Sequence, residues 1–179
     1  MAIDMKKLLS DTLIEMSKRK PLAKITVQDL CKELGCSRQS FYNHFIDKDD
    51  LIIWTYQERA IDAFANFDGG IFNAVKTTQL KLTQNFGFFS QAIRITGVNS
   101  LREFIYEDCV KLYETYIIET HGPSVMTGEL KFAIRFYAHG VVGMLIQQLT
   151  GALVIDPEEK TLYAISCMPA VLRQWLSDG

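Results

Sequence analysis

Between positions 38 and 44 the chain places Arg38, Gln39, Ser40, Tyr42, Asn43 and His44. These side chains suit flat, hydrogen-bonding partners. A guanidinium pairs bidentately with guanine and a Gln or Asn amide with adenine, each pair being worth about 1–3 kcal/mol of discrimination. Just outside that stretch, Thr26, Ser37 and Lys48 stand where helices begin, and helix starts present unpaired N–H groups and partial positive charge to phosphate. Contacts to nucleic acid divide into those that specify and those that position. Base contacts are expected from Arg38, Gln39, Ser40 and Asn43. Phosphate contacts are expected from Thr26, Ser37, Tyr42, His44 and Lys48. The plainer alternatives are packing of Tyr42 on the next helix, a capping or core role for His44, and a solvated charge for Arg38.

The elements that must hold these groups are legible in Thr26–Leu51. Thr26 is a fitting N-cap, with Asp29 three residues on to complete a box. Val27, Leu30, Cys31 and Leu34 repeat at i, i+3, i+4 and i+7, one apolar stripe of a helix. Gly35 stands where a helix ends on a left-handed residue. Ser37 is a second N-cap, and the helix it opens has Phe41 and Phe45 four apart on its inner side. Two short helices joined by a Gly-containing turn make a helix-turn-helix, whose second helix is narrow enough for the DNA major groove.

Gly35-Cys36-Ser37-Arg38-Gln39-Ser40-Phe41-Tyr42-Asn43-His44-Phe45 followed by Asp47-Lys48-Asp49-Asp50-Leu51 resembles the N-terminal domain of the TetR family of transcriptional regulators. Its glycine, serine, tyrosine, histidine, phenylalanine, lysine and leucine all stand in register with the family pattern. Cys36 replaces the usual small aliphatic residue, and Gln39 sits where Gly or Ala is frequent. The resemblance covers about the first fifty-five residues. It implies the same DNA-contact roles, position by position, for the residues named above. It also implies an all-α chain with a three-helix DNA-binding domain over residues 1–50 and a helical effector-binding and dimerisation domain over 51–179.

Composition agrees with an ordinary globular chain. Of 179 residues, 48% are hydrophobic and 22% charged, with a net charge of -2. That charge argues against a protein that coats nucleic acid generally; local contacts fit better. No run of eighteen apolar residues marks a membrane span. The start lacks the apolar stretch of a signal peptide. Cys31, Cys36, Cys109 and Cys167 are scattered without zinc spacing and read as reduced thiols, Cys31 and Cys36 as small core residues, in a cytoplasmic protein. No Gly-rich phosphate loop, GxSxG or HExxH is present, and His44, His121 and His139 sit in separate elements. Neither an enzyme, a metal site nor a cofactor is expected.

The rest of the chain reads as helix throughout. A first helix is expected over Asp4–Ser17, closed by Ser17-Lys18-Arg19-Lys20-Pro21, whose basic cluster is either a solvated loop or a phosphate contact. Asp47 is expected to cap a helix reaching about Phe67, with Ile61, Phe64 and Phe67 among its apolar positions, broken by Asp68-Gly69-Gly70. A helix over Ile71–Asn85 then leads into the aromatic knot Phe86-Gly87-Phe88-Phe89 and a short piece over Ser90–Ile95. Asn99 or Ser100 caps a helix to about Thr120, stopped by His121-Gly122-Pro123. Another helix covers Thr127 to about Leu149. Asp156-Pro157-Glu158-Glu159 opens the last, which runs to about Ser177 with Pro169 kinking or dividing it.

Two further groups of residues stand out. Gly140 and Gly143 lie three apart inside a helix, where each costs about 1 kcal/mol relative to Ala. With Ile146, Leu172 and Trp175 they read as half of a helix–helix interface between two copies, the alternative being packing within one chain. In TetR-like proteins a small molecule in the C-terminal helices alters the separation of the recognition helices. By that resemblance Phe86, Phe89, Arg94, Tyr106, Tyr113, Tyr137 and His139 are candidates to line a pocket, although aromatics at helical spacing are more often plain core. Arg135-Phe136-Tyr137, Gly140-Val141-Val142-Gly143, Gly151 and Pro157-Glu158-Glu159 more loosely resemble a Firmicutes-type branch that includes dihydroxyacetone kinase operon regulators. Gln147-Gln148 departs from that branch, where Trp is frequent. The expected function is a regulator binding an inverted-repeat operator on double-stranded DNA as a homodimer, with a possible small-molecule effector and no membrane partner. The competing class is a helical dimeric interaction protein that uses DNA as a scaffold and has no effector.

Overall fold

The computed structural model describes residues 4–60, 70–97 and 99–176, and these are all-helical. Ten α-helices follow in order: α1 Met5–Ser17, α2 Val27–Leu34, α3 Arg38–Tyr42, α4 Lys48–Ala60, α5 Gly70–Gln84, α6 Phe86–Ala92, α7 Leu101–His121, α8 Gly128–Thr150, α9 Pro157–Ser166 and α10 Ala170–Leu176. Their starts are written in capping chemistry. The carboxylate of Asp4 accepts from the N–H groups of Lys6 and Lys7, and Asp47 accepts from that of Asp50. Ser100, Thr127 and Asp156 do the same for α7, α8 and α9. Of the expectations drawn from sequence, Ile61, Phe64, Phe67, the Asp68-Gly69 break and Ser177 lie outside the described residues.

One expectation about the second half is corrected. The aromatic stretch is not a knot ahead of a helix: Phe86, Phe88 and Phe89 are themselves in α6, which ends at Ala92 rather than Ile95. Burying Phe88, Phe89 and Ala92 as one stripe favours the earlier start. Of the two outcomes expected at Pro169, division is the one found: the last stretch forms α9 and α10, because the residue before Pro169 resists helical geometry. The Arg173 guanidinium donates back to the carbonyls of Ser166 and Met168 at 3.2 and 3.1 Å, satisfying groups freed at that break.

Packing makes two connected cores. The first gathers Leu9 and Leu13 of α1, Leu30 of α2, Phe41 and Phe45, and Leu51 and Tyr56 of α4. It continues without interruption into Phe88 and Phe89 of α6, Ile105 of α7 and Val142 and Leu149 of α8. The Tyr56 ring meets Phe89 and Phe104 edge-on at 6.1 and 6.0 Å, geometry that aromatic quadrupoles favour. The second core joins Ile71 of α5, Val110, Tyr113 and Ile117 of α7, Ile134 and Ala138 of α8, Met168, and Leu172 and Leu176 of α10. α7 and α8 run through both and form the spine of the larger part.

One charged group lies inside this framework. Lys160 of α9 is 4% exposed and its Nζ donates to Oε1 of Gln148 at 3.0 Å. Burial disfavours the ammonium and lowers its pKa from 10.5 to about 8. The unfolded chain therefore holds this proton more tightly than the folded one, and stability contributed here rises with pH between about 8 and 10.5. Lys160→Met should be more resistant to urea than the parent at pH 7.5. Midpoints measured at pH 7.5 and pH 10 should show that advantage shrinking at the higher pH.

Candidate nucleic-acid interface and interior cavity

Helix α2 carries the capping box expected from Thr26 and Asp29. The Asp29 N–H donates to Thr26 Oγ1 at 3.1 Å, and the Thr26 N–H donates to Asp29 Oδ2 at 3.0 Å. Gly35 ends the helix at φ 71°, a left-handed turn that lets the chain reverse within two residues. The N–H of Cys36 donates to the carbonyl of Cys31 at 3.0 Å, which closes the turn. Ser37 then caps α3: its Oγ accepts from the N–H of Ser40 at 3.1 Å and lies 3.0 Å from Ser40 Oγ.

Two aromatic anchors fix which way α3 faces. Phe41 is fully buried, and its ring lies 5.8 Å from that of Phe45, which in turn meets Trp54 of α4 at 5.9 Å. With those rings inward, Arg38, Gln39, Tyr42, Asn43 and His44 are all exposed. They are also ordered among themselves. Arg38 donates to the Tyr42 hydroxyl at 3.3 Å and lies 5.8 Å from its ring centroid. Gln39 Nε2 donates to Asn43 Oδ1 at 3.0 Å. Both are i, i+4 pairs, the spacing at which side chains meet on a helix face. Two flat, bidentate-capable groups are thereby presented in adjacent rows. Thr26 and Ser37 are exposed beside them.

Lys48 sits differently from the others. Its ammonium donates to the carbonyls of Leu22, Ala23 and Ile25 at 3.1, 3.4 and 2.9 Å. All three protons are thus directed at the loop between α1 and α2, and partial burial lowers the pKa. In this arrangement Lys48 holds α4 against the 3-10 turn Leu22–Lys24. The basic cluster ahead of α2 is also compensated: Lys18 pairs with Glu15 at 2.5 Å, Arg19 with Glu33 at 2.7 Å and Lys20 with Asp29 at 2.7 Å. Lys20, with the Thr26 cap, holds the Asp29 carboxyl down at about 2.

Sequence reasoning missed Gln91 of α6. Its Oε1 accepts from the N–H of Leu22 at 2.9 Å, and its Nε2 donates to the carbonyl of Ser17 at 3.0 Å. A glutamine sixty-nine residues away in sequence thereby ties the loop before α2 to the larger part. No local pattern marks a residue whose partners are backbone groups in a distant loop.

The residues proposed to line a pocket do not share one cavity. Phe86 is exposed and Phe89 is core. Arg94 donates to the carbonyls of Ser90 and Thr150. Tyr106 stacks on His139 at 4.0 Å, while Tyr113 and Tyr137 meet at 5.7 Å inside the second core. The interior cavity lies elsewhere. About 50 Å³ in volume, it is walled by α4, α5, α7 and α8 through Tyr56, Thr78, Gln79, Leu82, Ile105, Asp108, Cys109, Val142 and Leu145. The helix that follows the exposed α3 thus forms one wall of it.

Of the residues proposed for an interface between copies, Leu172 is fully buried and belongs to the second core of its own chain. Ile146 and Trp175 are half-buried, the latter with its ring 5.2 Å from His121. Gly140 and Gly143 differ: beyond the backbone of α8 itself, a methyl group added at either would meet no atom of the described residues within 4 Å. Intrachain packing therefore does not require these glycines. On the same outward side α8 exposes Phe132, Phe136 and Met144, with the two phenylalanine rings stacked at 6.3 Å.

Among the described residues no cluster of metal-ligating side chains occurs, and no helix is long and apolar enough to cross a membrane. A family model described as "Bacterial regulatory proteins, tetR family" matches residues 11–53, the segment from mid-α1 into α4. No curated protein matches the chain in sequence. A solved structure named "Dihydroxyacetone kinase operon activator DhaS" is similar over 98% of this chain and 100% of that one, with a TM-score of 0.70 and 16% identity. At that identity the likeness establishes the fold.

Proposed function

We propose that this chain, whose N-terminal domain makes it a DNA-binding transcriptional regulator of the TetR family, reads an inverted-repeat operator as a homodimer and answers to a small molecule held among its C-terminal helices. The observation that carries the first part is the outward face of α3. Arg38, Gln39, Tyr42 and Asn43 are exposed and paired at i, i+4, and their backbone is fixed by the buried Phe41 and the Ser37 cap. A duplex can compete for these groups without any buried contact being broken. In this reading Thr26, Ser37, Tyr42 and His44 meet phosphates, and Lys48 acts by holding the start of α4 in place.

A single recognition helix covers only a few base pairs, so two half-sites read by two copies fit the function, spaced about 34–36 Å in the simple helix-turn-helix case. The outer face of α8 supplies the surface for a second copy. Its exposed Phe132, Phe136 and Met144 with the unfilled Gly140 and Gly143 make an apolar, closely approachable ridge. The cavity bordered by α4 is the seat of the effector, since what fills it bears on the helix that carries α3. Such a protein works in the cytoplasm, without catalysis of its own.

The test is a gel shift of the purified protein on the DNA upstream of its own gene. Arg38→Ala should lose about 1–3 kcal/mol on that DNA, roughly ten- to hundredfold in affinity, and far less on random DNA. Equal losses on both would remove the base-reading role.

A further inference from the structure

The cavity has a chemical polarity that its aliphatic walls do not explain. Gln79 of α5 lines it, is 6% exposed, and its Oε1 is buried with no hydrogen-bond partner among the described residues. An unmet acceptor in such a place is destabilising unless something donates to it. Asp108 of α7 lines the same cavity and forms no hydrogen bond or ion pair among the described residues. Two acceptors therefore face one small space, and the charge of one is only partly offset, by the exposed Lys111 of its own helix. The lining from Leu82 of α5 and from Val142 and Leu145 of α8 is apolar, and Tyr56 lines it from α4.

We propose that this cavity binds a compact protonated alkylamine, its ammonium between the Asp108 carboxylate and Gln79 Oε1 and its short alkyl part against α8. This assignment rests on the effector reading given above and supplies the ligand class. Charge selects an ammonium over a neutral alcohol. A hydroxyl would satisfy Gln79 but leave the carboxylate to the weaker pull of Lys111 in a half-dry space, whereas an ammonium satisfies both. Size sets the other limit. A volume of about 50 Å³ is far below the hundreds of Å³ taken by drug-sized ligands and holds only a few heavy atoms.

The environment of Asp108 supplies an independent readout. Desolvation raises its pKa from 3.8 to about 6, against a smaller opposing effect of Lys111. The titratable groups around it are Tyr56 from α4 and Cys109 and Lys111 from its own helix, while α5 and α8 line the cavity with uncharged side chains. Amine affinity should therefore fall as pH drops from 7.5 to 5, where the carboxyl gains a proton and the amine stays cationic.

The experiment is calorimetric titration of the full-length protein with ethylamine and n-butylamine, beside ethanol, n-butanol and butyrate. An amine should bind saturably, at least about tenfold more tightly than its matched alcohol, and butyrate should not bind. Asp108→Asn should abolish most of that preference, and Val142→Trp, which fills the cavity, should abolish amine binding. Equal affinity for amine and alcohol, an affinity indifferent to pH over 5–7.5, or no amine binding at all would overturn the assignment; in the last case water meets Gln79 and Asp108. A gel shift of the ligand-free protein separates the two readings. DNA binding without amine binding sinks only the ligand class, and amine binding without DNA binding sinks the regulator.

Discussion

Phe136→Glu should convert the protein to a monomer in solution while leaving its melting temperature close to that of the parent. Phe136 is 65% exposed and, among the described residues, its ring stacks on Phe132, itself 71% exposed, so the described core does not depend on it. In a twofold interface the same side chain enters twice. An aromatic anchor at the centre of an interface is typically worth about 2 kcal/mol or more, so two carboxylates in place of two rings should weaken dimerisation about a thousandfold. Sedimentation at micromolar concentration would show the change. Gel shift on a two-half-site DNA should lose affinity in parallel, because each half-site would then be held by an independent subunit. A variant that stays dimeric would move the interface off the outer face of α8.

The second large effect concerns folding rather than assembly. Phe41→Ala removes a ring with no exposed surface, packed against Tyr42 and Phe45 at 5.4 and 5.8 Å. Such truncations cost about 3–5 kcal/mol, a large share of the 5–15 kcal/mol that a domain usually has. α3 is only five residues long and is held by its anchors rather than by its own hydrogen bonds. Chemical denaturation should show the full loss. DNA binding should fail even at temperatures where far-ultraviolet dichroism still reports most of the helix content, since most of that content lies in α5 to α10.

Short-range chemistry was the legible part of this molecule. Thr26 with Asp29, Gly35, Ser37 and the Phe41–Phe45 spacing each act within one turn, and each is found as expected. The starts of α7, α8 and α9 were readable for the same reason. Contacts between distant segments were not. Nothing local tells that Lys48 is drawn to three carbonyls of the preceding loop, or that Gln91 reaches Ser17 and Leu22. The cavity was hidden for a related reason. Attention went to other aromatic residues, but Tyr113 and Phe89 fill core, and the space is bounded mainly by aliphatic side chains, with Tyr56, Thr78, Cys109, one amide and one carboxyl. Leu172 and Gly140 both fit a helix–helix contact by type. Only the three-dimensional packing separates the one that meets its own chain from the one that meets nothing.

The Gln91 amide has one more implication. It links the loop ahead of α2 to α6 through neutral hydrogen bonds at 2.9 and 3.0 Å. Grip on a polyanion weakens steeply with added salt, because counterions are released as phosphates are neutralised. An uncharged strap is indifferent to that screening. Raising ionic strength should therefore loosen the hold on DNA while the mechanical linkage between the two ends of the molecule persists. In the proposed regulator, affinity is set by the electrolyte, while the linkage, which Gln91 shares with the Tyr56 contacts on Phe89 and Phe104, is not.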